Sequence, residues 1–139
     1  MAQSDCLDRT TALIVEDEAL IRFELADQLS EMGLRVLLAA DADEAIALLD
    51  IHPEIELLVT DIKMPGSMDG IRLAHHTRLR WPPVKIIVLS GRGDIQPSEL
   101  PRDSILLAKP YGHTALTEAL SHMMYAGAPR GPSPLGLGA

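Results

Sequence analysis

Short hydrophobic runs alternate with amphipathic segments along this chain, at a period of about 20 to 25 residues. Most of these runs lack the in-and-out alternation of a half-buried strand, which favours strands buried on both faces, as in a parallel sheet. The predicted strands are Thr11–Glu16, Arg35–Ala39, Glu56–Thr60, Lys85–Leu89 and Ser104–Ala108. Strands joined in this way by crossover helices predict an α/β fold with a doubly wound parallel sheet.

Helices are predicted in four of the five connections that follow the strands. The first carries Leu20, Ile21, Leu25, Gln28 and Leu29 near helical spacing. The first helix covers about residues 18–32, and the second begins after Asp41 or Asp43, either of which could cap its first turn, and ends near Asp50. The third begins around 69–70 and ends before Trp81, and the last covers about 114–125. The fourth connection, Gly91–Pro101, holds two glycines and two prolines. These are poor helix formers, so one short, loosely held helix is predicted there.

Length and composition indicate a single domain. The chain has 139 residues, of which 47% are hydrophobic, enough for one core. We assign residues 9–125 to this domain and residues 126–139 to a flexible tail rich in glycine and proline. The sequence therefore predicts a stand-alone domain with no output domain.

Charge and motif content exclude several classes of function. A net charge of -8 repels nucleic-acid phosphates and anionic lipid head groups, so neither nucleic acid nor a membrane is expected as a partner. Charged residues interrupt every apolar run before it reaches the roughly 20 residues that cross a bilayer. Cys6 has no second cysteine, and the N-terminus lacks the pattern of a secretory signal. A reducing, cytoplasmic location is the expectation.

Polar residues stand at the carboxyl ends of four predicted strands. Glu16 and Asp17 follow the first strand, Asp61 the third, Ser90 the fourth and Lys109 the fifth. Ligand sites in open parallel sheets form beyond these strand ends. We therefore expect the side chains to converge on one site.

The chemistry of this set favours Mg²⁺ and phosphoryl transfer. Clustered carboxylates repel one another unless one is protonated or a cation lies among them, and an all-oxygen set suits Mg²⁺. A carboxylate beside Mg²⁺ can form an acyl phosphate with the help of a nearby ammonium group, here Lys109. Ser90 can donate its hydroxyl to the phosphoryl group, and Gly91 leaves space for its entry.

These motifs resemble the receiver domains of two-component response regulators. They are Val15-Glu16-Asp17-Glu18, Asp61-Ile62-Lys63-Met64-Pro65 with Asp69-Gly70, Leu89-Ser90-Gly91 and Lys109-Pro110-Tyr111. The resemblance implies a (βα)5 flavodoxin-like fold with strand order 2-1-3-4-5. It also implies that Asp61 is phosphorylated by a histidine kinase or phosphotransfer protein, in a signalling domain that is not an enzyme in the usual sense.

The same resemblance assigns roles to the site residues. Asp17, Asp61 and the backbone carbonyl of Lys63 would bind Mg²⁺ directly, and Glu16 through water. Ser90 and Lys109 would contact the phosphoryl group, and the Lys109-Pro110 bond is often cis in the family.

Two departures from the family bear on the switch. Leu106 occupies the position where the family often has an aromatic ring that moves on phosphorylation, and the loop between Asp61 and Gly70 is one residue longer than a common shorter form. We therefore hypothesise that phosphorylation shifts an order–disorder balance in residues 91–101.

Other readings of the sequence stay open at this stage. A lone Asp after a strand is more often a turn or cap residue than a nucleophile. Lys63 and Arg92 could equally be solvated surface charges or residues that shield the phosphoryl group. His75 and His76 are expected at the surface, and Trp81 is expected to pack at a helix end.

A Mg²⁺-dependent phosphatase with a transient aspartyl phosphate is disfavoured by Lys63, because such enzymes typically have a second Asp there. A constitutive, non-phosphorylated interaction module is the remaining alternative, and the sequence identifies neither the kinase nor the protein target.

Overall fold

The computed structural model describes residues 10–91 and 95–126. Five parallel strands form one sheet in the order β2-β1-β3-β4-β5, which confirms the predicted topology. The strands and helices are β1 (Thr11–Val15), α1 (Ala19–Glu31), β2 (Arg35–Ala39), α2 (Ala42–Ile51), β3 (Ile55–Asp61), α3 (Gly70–Arg80), β4 (Lys85–Ser90), a 3-10 helix (Pro97–Glu99), β5 (Ser104–Ala108) and α4 (Gly112–Ala126). All but the first residue of the proposed tail lies outside the described residues. Cys6 and Arg92 also lie outside them.

A hydrophobic core lies on each face of the sheet, which explains why the central strands show no polar alternation. Helices α2 and α3 cover one face, and helices α1 and α4 cover the other. Every residue of β1 is buried, and β4 is buried from its second residue onward. Burial on both faces requires apolar side chains at successive positions rather than at every second one.

The ends of the helices follow their local chemistry. Asp41, one of the two candidates, caps α2 by accepting a hydrogen bond from the Glu44 backbone N–H at 2.9 Å. Helix α1 ends in a Schellman motif: the N–H groups of Gly33 and Leu34 donate to the carbonyls of Ser30 and Leu29. Gly33 has φ of +98°, which a residue without a Cβ adopts at little cost.

Two expectations about side-chain placement are wrong. Leu20, grouped with Leu25 and Leu29 at near-helical spacing, is 78% exposed, because it shares its side of α1 with the exposed Glu24 four residues later. His76, expected at the surface, is half-buried, and its ring lies edge-on to Trp81 at 6.0 Å. Trp81 itself packs against the core at the end of α3, as predicted.

The fourth connection contains a short helix, as predicted. Leu100 and Pro101 are buried, and the Glu99 side chain accepts a hydrogen bond from the Gln96 backbone N–H at 3.1 Å. The loose packing expected for this helix stays a prediction. His75 also contacts this turn, with 2.7 Å between its Nε2 and the Glu99 carbonyl oxygen. Across the described residues, no helix is both long and apolar enough to cross a membrane.

Candidate functional site

The sheet register brings the carboxyl ends of the central strands to one edge. Val15 is paired with Thr60, Asp61 with Leu89, and Ser90 with Ala108. The backbone ladder continues past the strands, where Lys109 N–H donates to the Ser90 carbonyl at 2.7 Å. The polar residues that follow four of the strands are therefore neighbours in space although they are far apart along the chain.

Three carboxyl groups meet at this edge. Glu16, Asp17 and Asp61 each place one oxygen so that all three oxygens lie within 4.8 Å of one another. Glu16 is buried and Asp61 is only 9% exposed, whereas Asp17 faces solvent. The structure thus brings together the three carboxylates that the sequence singles out.

Lys109 supplies the positive charge beside this cluster. Its Nζ lies 3.3 Å from Asp61 Oδ1 and 4.0 Å from Glu16 Oε1. The Lys109-Pro110 peptide bond is cis, as the family resemblance implies. One ammonium group therefore faces two of the three carboxylates.

The pKa of Glu16 reflects its burial and the charges around it. It rises from its usual 4.5 to about 7, mainly because burial removes the carboxylate from water. The negative charges of Asp61 and Asp17 also raise the pKa, while the Glu18 N–H and Lys109 lower it. A cation bound among the carboxylates would lower the pKa of Glu16, because it favours the charged form.

The donor set fits a divalent cation of the Mg²⁺ type. Glu16 Oε1 is buried and accepts no hydrogen bond in the described structure, since Lys109 Nζ at 4.0 Å is too far away to donate one. A buried oxygen of this kind normally has a closer partner. The remaining donors are carboxylate oxygens, which Mg²⁺ prefers to nitrogen or sulfur. Asp17, Asp61 and Glu16 could hold the ion together with the Lys63 carbonyl.

A cavity of about 430 Å³ opens beside Asp61. Its polar wall includes Asp61, Ser90 and Lys109, and its outer wall carries Ile71, Ile95 and Glu99. Ser90 is 3% exposed, and Gly91 is exposed at the mouth. Every residue predicted to contact a phosphoryl group therefore lines one concavity.

Lys63 lies where this cavity meets a second, more open depression. That depression is lined by Asp17 and by the first residues of the loop that joins β3 to α3. The Lys63 side chain is exposed. The longer loop lies against α2, where Ser67 donates its hydroxyl to Asp43 at 2.7 Å.

Gly70 packs directly against the backbone of Asp61. Its N–H donates to the Ile62 carbonyl at 2.8 Å. A Cβ at this position would collide with the carbonyl oxygen of Asp61 and lie 2.8 Å from Ile62 Cα. The Asp69-Gly70 pair is visible as a motif, but only the fold shows that α3 begins against the peptide of Asp61.

The comparisons with known proteins agree with this arrangement. The family model of the response regulator receiver domain matches residues 12–121. The transcriptional regulatory protein PdtaR of Mycobacterium tuberculosis is 35% identical over 113 residues, which cover 78% of this chain and 53% of PdtaR. The sensor kinase CckA of Brucella abortus is 31% identical over 125 residues, which cover 87% of this chain and 13% of CckA. The chain thus spans about half the length of PdtaR and far less of CckA.

Solved structures give the same result. A response regulator receiver protein from Sinorhizobium medicae superposes with a TM-score of 0.79 at 30% identity, covering 86% of this chain and 98% of that one. The response regulator protein TrrA of Thermotoga maritima, solved in complex with Mg²⁺-BeF, superposes with a TM-score of 0.72 at 25% identity. That match covers 82% of this chain and 98% of TrrA.

Proposed function

Because the chain belongs to the family of response regulator receiver domains, we propose that Asp61 accepts a phosphoryl group and that the modified domain acts as a signalling switch. The observation that carries this proposal is the position of Asp61, which faces both the carboxylates of Glu16 and Asp17 and the ammonium group of Lys109. The phosphodonor would be the phosphohistidine of a histidine kinase or phosphotransfer protein.

The transfer requires a nucleophile and a means of balancing charge. An oxygen of Asp61 would form a bond to phosphorus while the P–N bond of the phosphohistidine breaks and its electron pair returns to the ring nitrogen. Lys109 and the hydroxyl of Ser90 would bind phosphoryl oxygens in the 430 Å³ cavity. A Mg²⁺ ion bound by Asp17, Asp61 and the Lys63 carbonyl, with Glu16 acting through water, would neutralise charge on the same oxygens.

The downstream effect would pass through contact with another protein. A stand-alone signalling role in the cytoplasm remains a prediction from the sequence, as does the identity of the target. The chain would act as a relay, as a phosphate sink or as a direct effector, and these three roles share the same phosphorylated state.

Intact-mass measurement after incubation with acetyl phosphate and Mg²⁺ tests the proposal. We expect a stoichiometric gain of one phosphate that disappears in Asp61→Asn. Asp103→Asn is a matched control, because Asp103 precedes β5 at the opposite edge of the sheet and has φ of 62°, which Asn tolerates. Turnover of acetyl phosphate without an adduct would indicate the phosphatase instead, and neither adduct nor turnover would indicate the constitutive module.

A further inference from the structure

Arg22 reaches back from α1 over the turn that carries Glu16 and Asp17. Its Nη1 donates to the Glu16 carbonyl oxygen at 2.7 Å and lies 3.4 Å from the Asp17 carbonyl oxygen. None of the chemistry assigned above to Asp61, Ser90 or Lys109 uses this residue. Its contacts are nevertheless with the two residues that supply two of the three clustered carboxylates.

The two carbonyls lie ahead of the helix and outside its hydrogen-bond ladder. Helix α1 begins at Ala19, and the Arg22 N–H already donates to the Glu18 carbonyl at 2.9 Å. The carbonyls of Glu16 and Asp17 therefore depend on donors other than the first turns of α1. A guanidinium is a strong one, because a hydrogen bond from a charged donor is worth more than one from a neutral donor.

The guanidinium is itself restrained on a second side. Its central carbon lies 5.4 Å from the centre of the Phe23 ring, a distance at which cation and ring attract each other. The peptide of Glu16 is fixed from the other direction by its N–H, which donates to the Ala39 carbonyl at 3.1 Å. Arg22 thus completes the bonding of a turn whose peptides set the directions of both carboxylate side chains.

We propose that Arg22 is a positioning residue for the divalent cation site. By holding the carbonyls of Glu16 and Asp17, it keeps their carboxylates directed at Asp61 and thereby sets the affinity for Mg²⁺. Arg22 does not line the cavity beside Asp61, so its role would be toward the ion and not toward the phosphodonor. This inference rests on the proposed function, since it assigns a role toward the ion that phosphorylation of Asp61 would require.

The test is titration of Mg²⁺ by calorimetry in the absence of any phosphodonor. Arg22→Met should weaken Mg²⁺ binding about tenfold, near the lower end of the effect of removing groups that orient metal ligands. Arg22→Lys should be intermediate, because an ammonium group retains the charge and can still donate to one carbonyl. Arg35→Met removes the same charge at the opposite edge of the sheet, where the side chain is exposed, and should leave Mg²⁺ affinity unchanged.

A second readout separates positioning from a general loss of folding. At saturating Mg²⁺, Arg22→Lys should need the same acetyl phosphate concentration for half-maximal phosphorylation as the unchanged chain. Only the Mg²⁺ concentration needed for half-maximal phosphorylation should rise. Equal Mg²⁺ affinity in the unchanged chain, Arg22→Lys and Arg22→Met would overturn the role of Arg22 and leave the proposed function standing. An equal loss in Arg35→Met would also overturn it. Removing a positive charge should by itself favour Mg²⁺ binding, so a loss shared by both variants would indicate a general effect on the fold rather than the contacts of Arg22. Failure of the unchanged chain to form the Asp61 adduct would instead contradict the proposed function.

Discussion

A carboxyl group that is buried beside two other carboxyl groups, as Glu16 is, favours its protonated form. Its pKa of about 7 lies above the usual 4.5, and folding therefore takes up a proton over this range. The stabilisation from protonated Glu16 is fully present below pH 4.5 and is lost as the pH rises through about 7. At ~1.4 kcal/mol per pKa unit, the loss is at most about 3 kcal/mol.

We predict that the free energy of unfolding, measured with denaturant in EDTA, falls between pH 5 and pH 8 and that Glu16→Gln removes most of this fall. Glutamine cannot ionise, so the variant keeps the neutral form at every pH. Glu31→Gln is the control, because Glu31 is exposed at the end of α1 and should leave the pH dependence intact. The same slope in Glu16→Gln as in the unchanged chain would show that Glu16 is not the titrating group.

The close packing of Gly70 against Asp61 gives a steric prediction. Gly70→Ala forces a methyl group against the peptide of Asp61, which must move or strain. We expect destabilisation of about 1–3 kcal/mol together with slower phosphorylation of Asp61. Gly91→Ala should leave stability unchanged, because its Cβ would meet nothing within 4 Å. Equal stability of the two variants, measured by denaturant unfolding, would contradict the tight approach of α3 to β3.

Among the described elements, the connection between β4 and β5 carries only a single turn of 3-10 helix, at Pro97–Glu99. His75 on α3 and the capped turn at 97–99 hold it, and Leu100 anchors it in the core. Glu99 also lines the cavity beside Asp61. A change in this turn would therefore alter one wall of the cavity in which we propose that Asp61 is phosphorylated.

His75→Ala should loosen this turn. The imidazole Nε2–H donates to the Glu99 carbonyl, so its loss removes the link between α3 and the turn. We expect faster amide exchange at Glu99 and Leu100, whose N–H groups donate to the carbonyls of Gln96 and Pro97. His113→Ala, at an exposed position of α4, should not change exchange there.

The same exchange measurement bears on the hypothesis that phosphorylation shifts order in residues 91–101. Protection across residues 95–101 that is identical with and without an aspartyl phosphate would refute that hypothesis. Unchanged exchange at Glu99 in His75→Ala would separately show that the turn holds without this side chain.

Hydrophobic patterning predicts the strands within a residue or two of their observed bounds, because buried parallel strands need continuous apolar runs. Side-chain chemistry predicts helix ends: Gly33 follows the end of α1, and Asp41 caps the start of α2. The exposure of Leu20 does not follow from hydrophobic spacing alone, because Leu20 lies on the side of α1 that carries the exposed Glu24 and not on the side of the buried Leu25. The His75 contact also depends on tertiary structure, because 24 positions separate it from Glu99.

At the scale of the whole molecule, parallel pairing turns four distant segments into one site. The proximity of Asp61, Ser90 and Lys109 could be predicted from the sequence because each follows an apolar run, and parallel strands end at the same edge. Arg22 and Gly70 act through backbone contacts, and the spacing of residue types gives no signal for such contacts. The sequence thus predicts the groups that carry charge, and the structure adds the groups that hold them.

The convergence of Glu16, Asp17 and Asp61 on one cation is the claim on which the rest depends. Titration with Mn²⁺, followed by paramagnetic broadening of backbone amide signals, tests it most directly, because broadening falls steeply with distance from the ion. Amides of residues 16–18 and 61–63 should broaden together at the lowest Mn²⁺ concentrations, while those of Arg35 and Ser104, at the opposite edge, should stay sharp. Competition by Mg²⁺ should restore the lost signals. Broadening that begins at the opposite edge, or that separates residues 16–18 from 61–63, would contradict a single shared site.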